Sequence, residues 1–447
     1  MGNRAKIFLL FLGDIIALYA ALFVTLAIRY QGAFYKQFED VHAVPFSVIF
    51  IFWLVIFYIA GLYDLRRLRD NLDFIKTLWL TIATSTIVSI LIFYAVPSFG
   101  IAPKTNLLIF TLVFAVIETL WRRAFNRIAS SSGAPNKVLL IGNGAAIEIE
   151  KMIHENTQLG YEIKIRMDEK AALQTPESLE LLVKQQDINC VVVSRQLKRE
   201  GHLPAALYRL FSRGILIMDL PNFYEVVMRK VPLADLEETW FLENIEGAAQ
   251  FYDPLKRAWE FMAALILGII LLPFEILIAL LIVLTSRGPV IYKQTRVGKN
   301  GHTFTLYKFR SMMALAADGS AETKGVQWAS QGDVRTTPIG KFLRASHLDE
   351  LPQLLNIIRG DISFVGPRPE RPQWVEKLKK EIPYYEARLL IKPGVSGWAQ
   401  LNHRADLDLE DVKQKLQYDI YYLKNRSLIL DLAIIVKTIK TFFVTPN

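Results

Sequence analysis

The sequence predicts a membrane protein in three parts. An α-helical N-terminal four-helix transmembrane bundle occupies 1–128, a parallel α/β domain 137–250, and a mainly α-helical domain 251–447 with a re-entrant membrane helix at 258–285. Three observations lead there. Four apolar segments of near membrane-spanning length open the chain. Strands then alternate with helices. A long apolar segment, broken by a proline and flanked by basic residues, then introduces a basic remainder. The composition agrees: 52% of the residues are hydrophobic, and the formal net charge is +9, with nearly all of the excess after residue 250.

The four opening segments are Ile7–Ile28, Val44–Leu62, Leu78–Val96 and Leu107–Trp121. The fourth is short and carries Glu118. The first is too long for a signal peptide and lacks a cleavage site. Arg4 and Lys6 precede the first segment, Arg66, Arg67 and Arg69 follow the second, and Arg122, Arg123 and Arg127 follow the fourth. The loops between are poorer in Lys and Arg, so the N-terminus and the chain after four spans are expected on the cytoplasmic side.

Ala129–Asn136 reads as a linker. The apolar strand in KVLLIGNGAA then runs into Gly142, Asn143 and Gly144 and a helix. Further strands are expected at Tyr161–Arg166, Ile188–Ser194 and Gly214–Met218, with a helix near Pro204–Ser212. This is a Rossmann-like pattern with an incomplete fingerprint: Ile147 stands at the third glycine position, and Asp168 is a loose candidate for a ribose-binding acid. A structural or regulatory module is the reading preferred over nucleotide binding. Cys190, the single cysteine, lies in a strand-like apolar run and reads as a structural thiol.

Ala258–Thr285 is interrupted by Pro273 and Glu275, with Lys256 and Arg257 before it and Arg287 after it. Basic flanks at both ends keep both ends inside, and Pro273 can kink the helix. A re-entrant hairpin in the inner leaflet follows, with a kinked spanning helix as its rival. Ala314–Asp333 reads as an irregular loop over a site. Leu428–Phe443 reads as an interfacial helix or a core helix.

The most informative stretch is KFLRASHLDELPQLLNIIRGDISFVGPRPE, Lys341–Glu370. Leu351, Leu354, Leu355 and Ile358 form one apolar helical face. Asp349 and Glu350 sit where that helix should begin, Pro352 falls in its first turn, and Gly360 ends it. Arg344, Arg359 and Arg368 lie nearby in sequence. Carboxylates among arginines at a helix N-terminus, where phosphate oxygens also bind well, point to phosphoryl chemistry with a metal ion. The bland alternative is a capping Asp and a first-turn Glu that stabilise the helix alone.

Six further stretches accompany it: DPLKRAWEF (Asp253–Phe261), SRGPVIYKQTRVGKNG (Ser286–Gly301), FTLYKFRSM (Phe304–Met312), DVRTTPIGKFLR (Asp333–Arg344), KPGVSGWAQLNHR (Lys392–Arg404) and YDIYYLKNRSLILDL (Tyr418–Leu432). In this order they resemble the bacterial sugar transferase family, the monotopic polyprenyl-phosphate phosphoglycosyl transferases. The N-terminal half resembles that family's large subgroup, with four transmembrane helices and a Rossmann-like middle domain.

The resemblance implies transfer of a sugar-1-phosphate from a UDP-sugar to undecaprenyl phosphate, with release of UMP, as the initiating membrane step of exopolysaccharide, capsule or O-antigen synthesis. It implies Asp349 as nucleophile, forming an aspartyl-phosphosugar intermediate, and Glu350 as ligand of Mg²⁺, or of Mn²⁺ in its place, with Asp349 as the second carboxylate. Lys308, Arg310, Arg335, Arg344 and Arg368 are the candidate phosphate-binding cations. The family often has an acid at the place of Gly332, so any further metal-ligand role there is in doubt. The bacterial inner membrane is the expected location, with the catalytic domain on its cytoplasmic face. A lipid bilayer and a second copy of the chain, as a homodimer, are expected partners; nucleic acid is not. A membrane-bound nucleotide-sugar dehydratase or oxidoreductase and a non-catalytic assembly scaffold are the rival readings.

Overall fold

The computed structural model describes residues 3–63, 72–96, 99, 104–131, 135–156, 159–245, 249–313, 335–403 and 408–443. Arg66, Arg67, Arg69, Arg404, Gly332 and the stretch Ala314–Asp333 lie outside the described residues. The chain divides into two compact units, Met1–Met228 and Arg229–Asn447.

The first unit opens with four long helices, Asn3–Tyr30, Ala43–Ala60, Leu72–Ala95 and Lys104–Ser131. They lie over the four expected segments, the second ending at Ala60 and the third at Ala95. Their inner faces pack an aromatic core in which Trp53, Phe46, Phe57, Phe110 and Phe114 are buried. Large apolar side chains such as Phe8, Ile16, Leu80, Leu91 and Leu112 face outward. Two helical stretches here, Ala5–Ala60 and Phe74–Ala95, are long and apolar enough to cross a membrane. Glu118 is accommodated by pairing. Arg122 binds Glu118 at 2.5 Å, Asp14 at 2.5 Å and the Leu62 carbonyl at 2.7 Å, all buried. A buried charge survives only with such partners.

The same unit holds a parallel sheet of β1 (Asn136–Ile141), β2 (Tyr161–Met167), β3 (Cys190–Val193) and β4 (Leu216–Asp219), in the order β2-β1-β3-β4. Its central strands are buried on both faces, as the apolar runs require. Cys190 is buried in β3. At the end of β1, a Cβ on Gly142 would stand 3.2 Å from Leu220 Cδ2, so Leu220 fills that space. Glu148, in the first turn of the following helix, accepts a 2.6 Å hydrogen bond from Tyr224. A filled crevice and an acid at that helix end both disfavour a phosphate there.

The second unit begins with Val231, Leu236 and Trp240, which enter its core beside Tyr385, Trp398, Ile420 and Ile434. Ala249–Thr285 is one helix of 37 residues containing Pro254 and Pro273, and it too is apolar and long enough to cross a membrane. Its middle is exposed: Ile269, Ile270, Phe274 and Ile276 face outward. An antiparallel hairpin follows, β5 (Ile291–Val297) with β6 (Thr303–Phe309), and two short parallel strands, β7 (Ser363–Val365) and β8 (Gly394–Ser396), lie further on. In the Leu428–Phe443 helix, Asp431 and Ile434 are buried while Ile429 and Leu432 are exposed. One of its faces therefore belongs to the core.

Candidate active site

Three elements meet at the acidic pair. β6 brings Lys308 near its end. Its extension bridges Met312 to Thr336, and Met313 N–H donates to the Arg335 carbonyl at 2.8 Å. The Pro338–Ala345 helix starts there. Thr337 caps it by accepting from Gly340 N–H at 3.0 Å, and Pro338 takes the first position. Gly340 permits close approach to the strand, since a Cβ would stand 1.9 Å from the Ser311 carbonyl oxygen. The chain then turns through His347, at φ 53, into a 3-10 turn, Leu348–Glu350.

The helix starts later than the periodicity predicts. Gln353–Arg359 is helical, and Pro352 occupies the N-cap rather than the first turn. Proline has no N–H and its fixed φ suits this entry. Asp349 and Glu350 thus belong to the preceding 3-10 turn. Gly360 ends the helix as expected, at φ 87. Leu351, Leu354 and Ile358 pack partly buried against the core as expected, but Leu355 is exposed, and Gln353, Asn356 and Ile357 are the fully buried residues.

Asn356 is a polar residue that this burial accommodates. Its Oδ1 accepts from Tyr307 N–H at 3.1 Å, and its Nδ2 donates to the Thr305 carbonyl at 2.7 Å and to Asp361 at 2.9 Å. A fully bonded amide can be buried without cost from lost water contacts. These bonds tie the helix to β6 and so set Glu350 against Lys308. At the other end, Arg257 donates to the carbonyls of Ile357 and Ile358, at 2.5 and 2.7 Å. Asn356 was visible in sequence only as a polar interruption of LLNII, and Arg257 only as a flanking charge.

Glu350 Oε1 is held by Lys308 Nζ at 2.6 Å and by Arg368 at 3.2 Å. Burial works to raise its pKa, but Lys308 and then Arg368 outweigh it, and the carboxyl is held down at about 2. Oε2 has no hydrogen-bond partner among the described residues. Asp349 is buried, and no described residue hydrogen-bonds its carboxylate. Burial raises its pKa above the ordinary 3.8, with Lys308 opposing and Glu350 reinforcing. Adjacent acids are therefore driven in opposite directions, an arrangement that is frequent where carboxylates carry chemistry.

The remaining cations are placed unequally. Arg344 acts on Asp349 through space and lies 3.4 Å from the Thr336 hydroxyl. Arg310 is buried and donates to the Ser286 carbonyl and hydroxyl, both at 2.8 Å, so it reaches neither carboxylate. Its Nε and NH1 have no hydrogen-bond partner among the described residues. Burial lowers its pKa. Arg335 borders the site through its backbone. Arg359 binds the Tyr307 hydroxyl at 2.8 Å, at the far end of the helix.

No group of three His, Cys, Asp or Glu able to hold a metal ion occurs among the described residues. Two neighbouring carboxylates remain as oxygen donors. That set fits Mg²⁺, which keeps several waters and binds through one or two carboxylates plus substrate phosphates.

The second unit thus joins one helix long and apolar enough to cross a membrane to a domain in which cations surround a pair of carboxylates. Residues 251–445 match the bacterial sugar transferase family. A UDP-N-acetylgalactosamine-undecaprenyl-phosphate N-acetylgalactosaminephosphotransferase of Aeromonas hydrophila is 44% identical over 42% of this chain and 44% of its own length. A UDP-glucose:undecaprenyl-phosphate glucose-1-phosphate transferase of Xanthomonas campestris pv. campestris is 29% identical over 72% of this chain and 69% of its own. The exopolysaccharide production protein PSS of Rhizobium leguminosarum bv. phaseoli is 39% identical over 41% of this chain and 93% of its own. The chain belongs to the bacterial sugar transferase family. It spans less than half the length of the Aeromonas relative.

Proposed function

We propose that the protein transfers a sugar-1-phosphate from a UDP-sugar to undecaprenyl phosphate. The observation that carries this reading is the buried Asp349 carboxylate, without a hydrogen bond among the described residues, beside a Glu350 held ionised by Lys308 and Arg368. An Asp349 oxygen attacks the phosphorus that bears the sugar. The bond from that phosphorus to the UMP oxygen breaks, and UMP leaves with the electron pair. An oxygen of undecaprenyl phosphate then attacks the aspartyl phosphate, the bond to Asp349 breaks, and the carboxylate is regenerated.

Attack by one anion on another requires neutralised charge. Lys308, Arg344 and Arg368 surround the pair, and Arg310 keeps two donors, unpartnered among the described residues, that suit phosphate oxygens. Glu350 and Asp349 would hold Mg²⁺, which supplies charge neutralisation at the donor diphosphate.

The membrane reading follows the same helix. Ala264 packs near Leu306 and Ile357, while Ile278 and Ile282 pack near Phe309 and Leu343. Fourteen helical residues span about 21 Å when straight, whereas Leu306 and Phe309 are about 10 Å apart along a strand. A bend at Pro273 reconciles the two, which supports a helix that enters one leaflet and returns. We read the inner membrane, with the site at its cytoplasmic face, as the location, and the first unit as a four-span bundle with a Rossmann-like structural module. The product would begin a surface glycan such as an exopolysaccharide.

The test is UMP release by purified protein in detergent with Mg²⁺, undecaprenyl phosphate and a panel of UDP-sugars. UDP-N-acetylgalactosamine and UDP-glucose come first, as the donors named for relatives. Release with one donor, lost in Asp349→Ala, is expected. Release that survives in Asp349→Ala removes the nucleophile assignment.

A further inference from the structure

A second cationic pocket lies in the same unit, at the opposite end of the Gln353–Arg359 helix from the acidic pair. It has a volume of about 70 Å³, several times the about 10–15 Å³ that one water needs. Its charged lining is Asp253 and Glu260 together with five cations, Arg257, Lys299, Lys392, Lys256 and Arg426. The last two are already neutralised: Lys256 pairs with Asp431, and Arg426 with Asp253 at 3.2 Å. The first three are not. Arg257 spends its hydrogen bonds on two carbonyls, and neither Lys299 nor Lys392 has a carboxylate partner among the described residues.

The cations converge. At Gly360, the place of a Cβ lies 3.0 Å from the Arg257 guanidinium and 3.2 Å from Lys392 Nζ. Burial lowers the Lys392 pKa, and Arg257 and Lys299 lower it further, against Glu260 and Asp361. Glu260, which also lines the pocket, offsets the three cations only in part, because it is shared with Lys256 at 3.5 Å while it accepts from the Ser363 hydroxyl at 2.6 Å and from Phe364 N–H at 3.0 Å. Asp361 is bonded to Asn356. A half-buried cluster of three like charges is costly unless an anion completes it.

We propose that Arg257, Lys299 and Lys392 form a binding site for a phosphate group, separate from the carboxylate pair. Lys256 and Arg257 immediately precede the apolar run from Ala258, so the site lies where that helix meets the membrane surface. The phosphate of an anionic lipid headgroup and a free phosphate share the required chemistry. The site does not depend on the transfer reaction proposed above.

The experiment uses the full-length protein in a neutral detergent and reads the thermal unfolding midpoint. One arm adds inorganic phosphate against chloride at equal ionic strength. The other adds phosphatidylglycerol against phosphatidylcholine. Both are repeated on Lys299→Gln/Lys392→Gln, whose side chains make no hydrogen bond that the fold would lose, and on Lys377→Gln/Lys413→Gln as a control for general charge loss. A rise with phosphatidylglycerol alone, abolished in the first variant and kept in the control, assigns the site to a lipid headgroup. A rise with inorganic phosphate as well, abolished in the same way, assigns it to phosphate from either source. No rise in either arm, or a rise that the Lys299→Gln/Lys392→Gln variant retains, overturns the proposal.

Discussion

Lys308 Nζ lies 2.6 Å from Glu350 Oε1, a contact across 42 residues that joins the end of a β-hairpin to the acidic turn. It fixes where the site sits and keeps Glu350 ionised. Glu350 titrates at about 2 instead of its ordinary 4.5, a displacement worth about 3 kcal/mol at neutral pH. A carboxyl with a depressed folded pKa stabilises above its unfolded pKa, and the contribution is lost as pH falls through the folded value.

Glu350→Gln is therefore expected to lose about 2–3 kcal/mol at pH 7, because the substitution leaves Lys308 without its charge partner. Denaturation at stepped pH checks this. The gap to the parent protein should narrow from about pH 5 towards pH 2, where the parent loses the same charge. UMP release should fall at least about 100-fold, a loss of about 2.7 kcal/mol in barrier terms.

Asp349 carries the opposite sign. Its folded pKa is raised, so its ionisation costs stability, and that cost grows as pH rises from the ordinary carboxyl value through the folded one. Asp349→Asn should unfold at a higher temperature than the parent at pH 7, with no advantage below about pH 4. It should also release no UMP. A variant that is less stable at pH 7 would mean that Asp349 is a structural acid.

Arg310 separates function from stability in a third way. It is buried, and among the described residues its Nε and NH1 have no partner, so the fold gains little from its charge. Arg310→Met should keep the unfolding midpoint or raise it, while transfer falls about 100-fold. Arg310→Lys, which keeps the charge but not the planar fork, should fall between them. A collapse of stability in Arg310→Met would point instead to its two bonds with Ser286.

The long apolar helices were legible because hydropathy is a local property: helices lie over all four opening segments, although Lys104–Ser131 is not among those long and apolar enough to cross a membrane. The acidic pair was legible because Asp349 and Glu350 are adjacent. Their setting was not. The clamp on Glu350 comes partly from Lys308, the burial of Asn356 depends on backbone groups of β6, and Arg310 turns to Ser286. Each is a contact between residues far apart in sequence, and spacing is silent about those. The apolar face proposed for Leu351, Leu354, Leu355 and Ile358 holds for three of the four, which pack partly buried against the core; what spacing missed is the exposure of Leu355 and the burial of Asn356, whose amide is satisfied by distant backbone.

The donor set makes the last prediction. Among the described residues two carboxylates stand together with no third ligand of that kind, and Glu350 already gives Oε1 to two cations. Such a pair binds Mg²⁺ weakly by itself, because the ion prefers waters and phosphate oxygens to a partial protein cage. A diphosphate donor would supply the missing oxygens. Mg²⁺ alone should therefore leave the unfolding midpoint unchanged, and a UDP-sugar alone should shift it little. The two together should raise it by more than the sum of the separate shifts, as linked binding requires. Chelation should abolish UMP release without unfolding the protein. A large stabilisation by Mg²⁺ alone would mean that the protein itself carries a complete metal site, with ligands beyond Asp349 and Glu350.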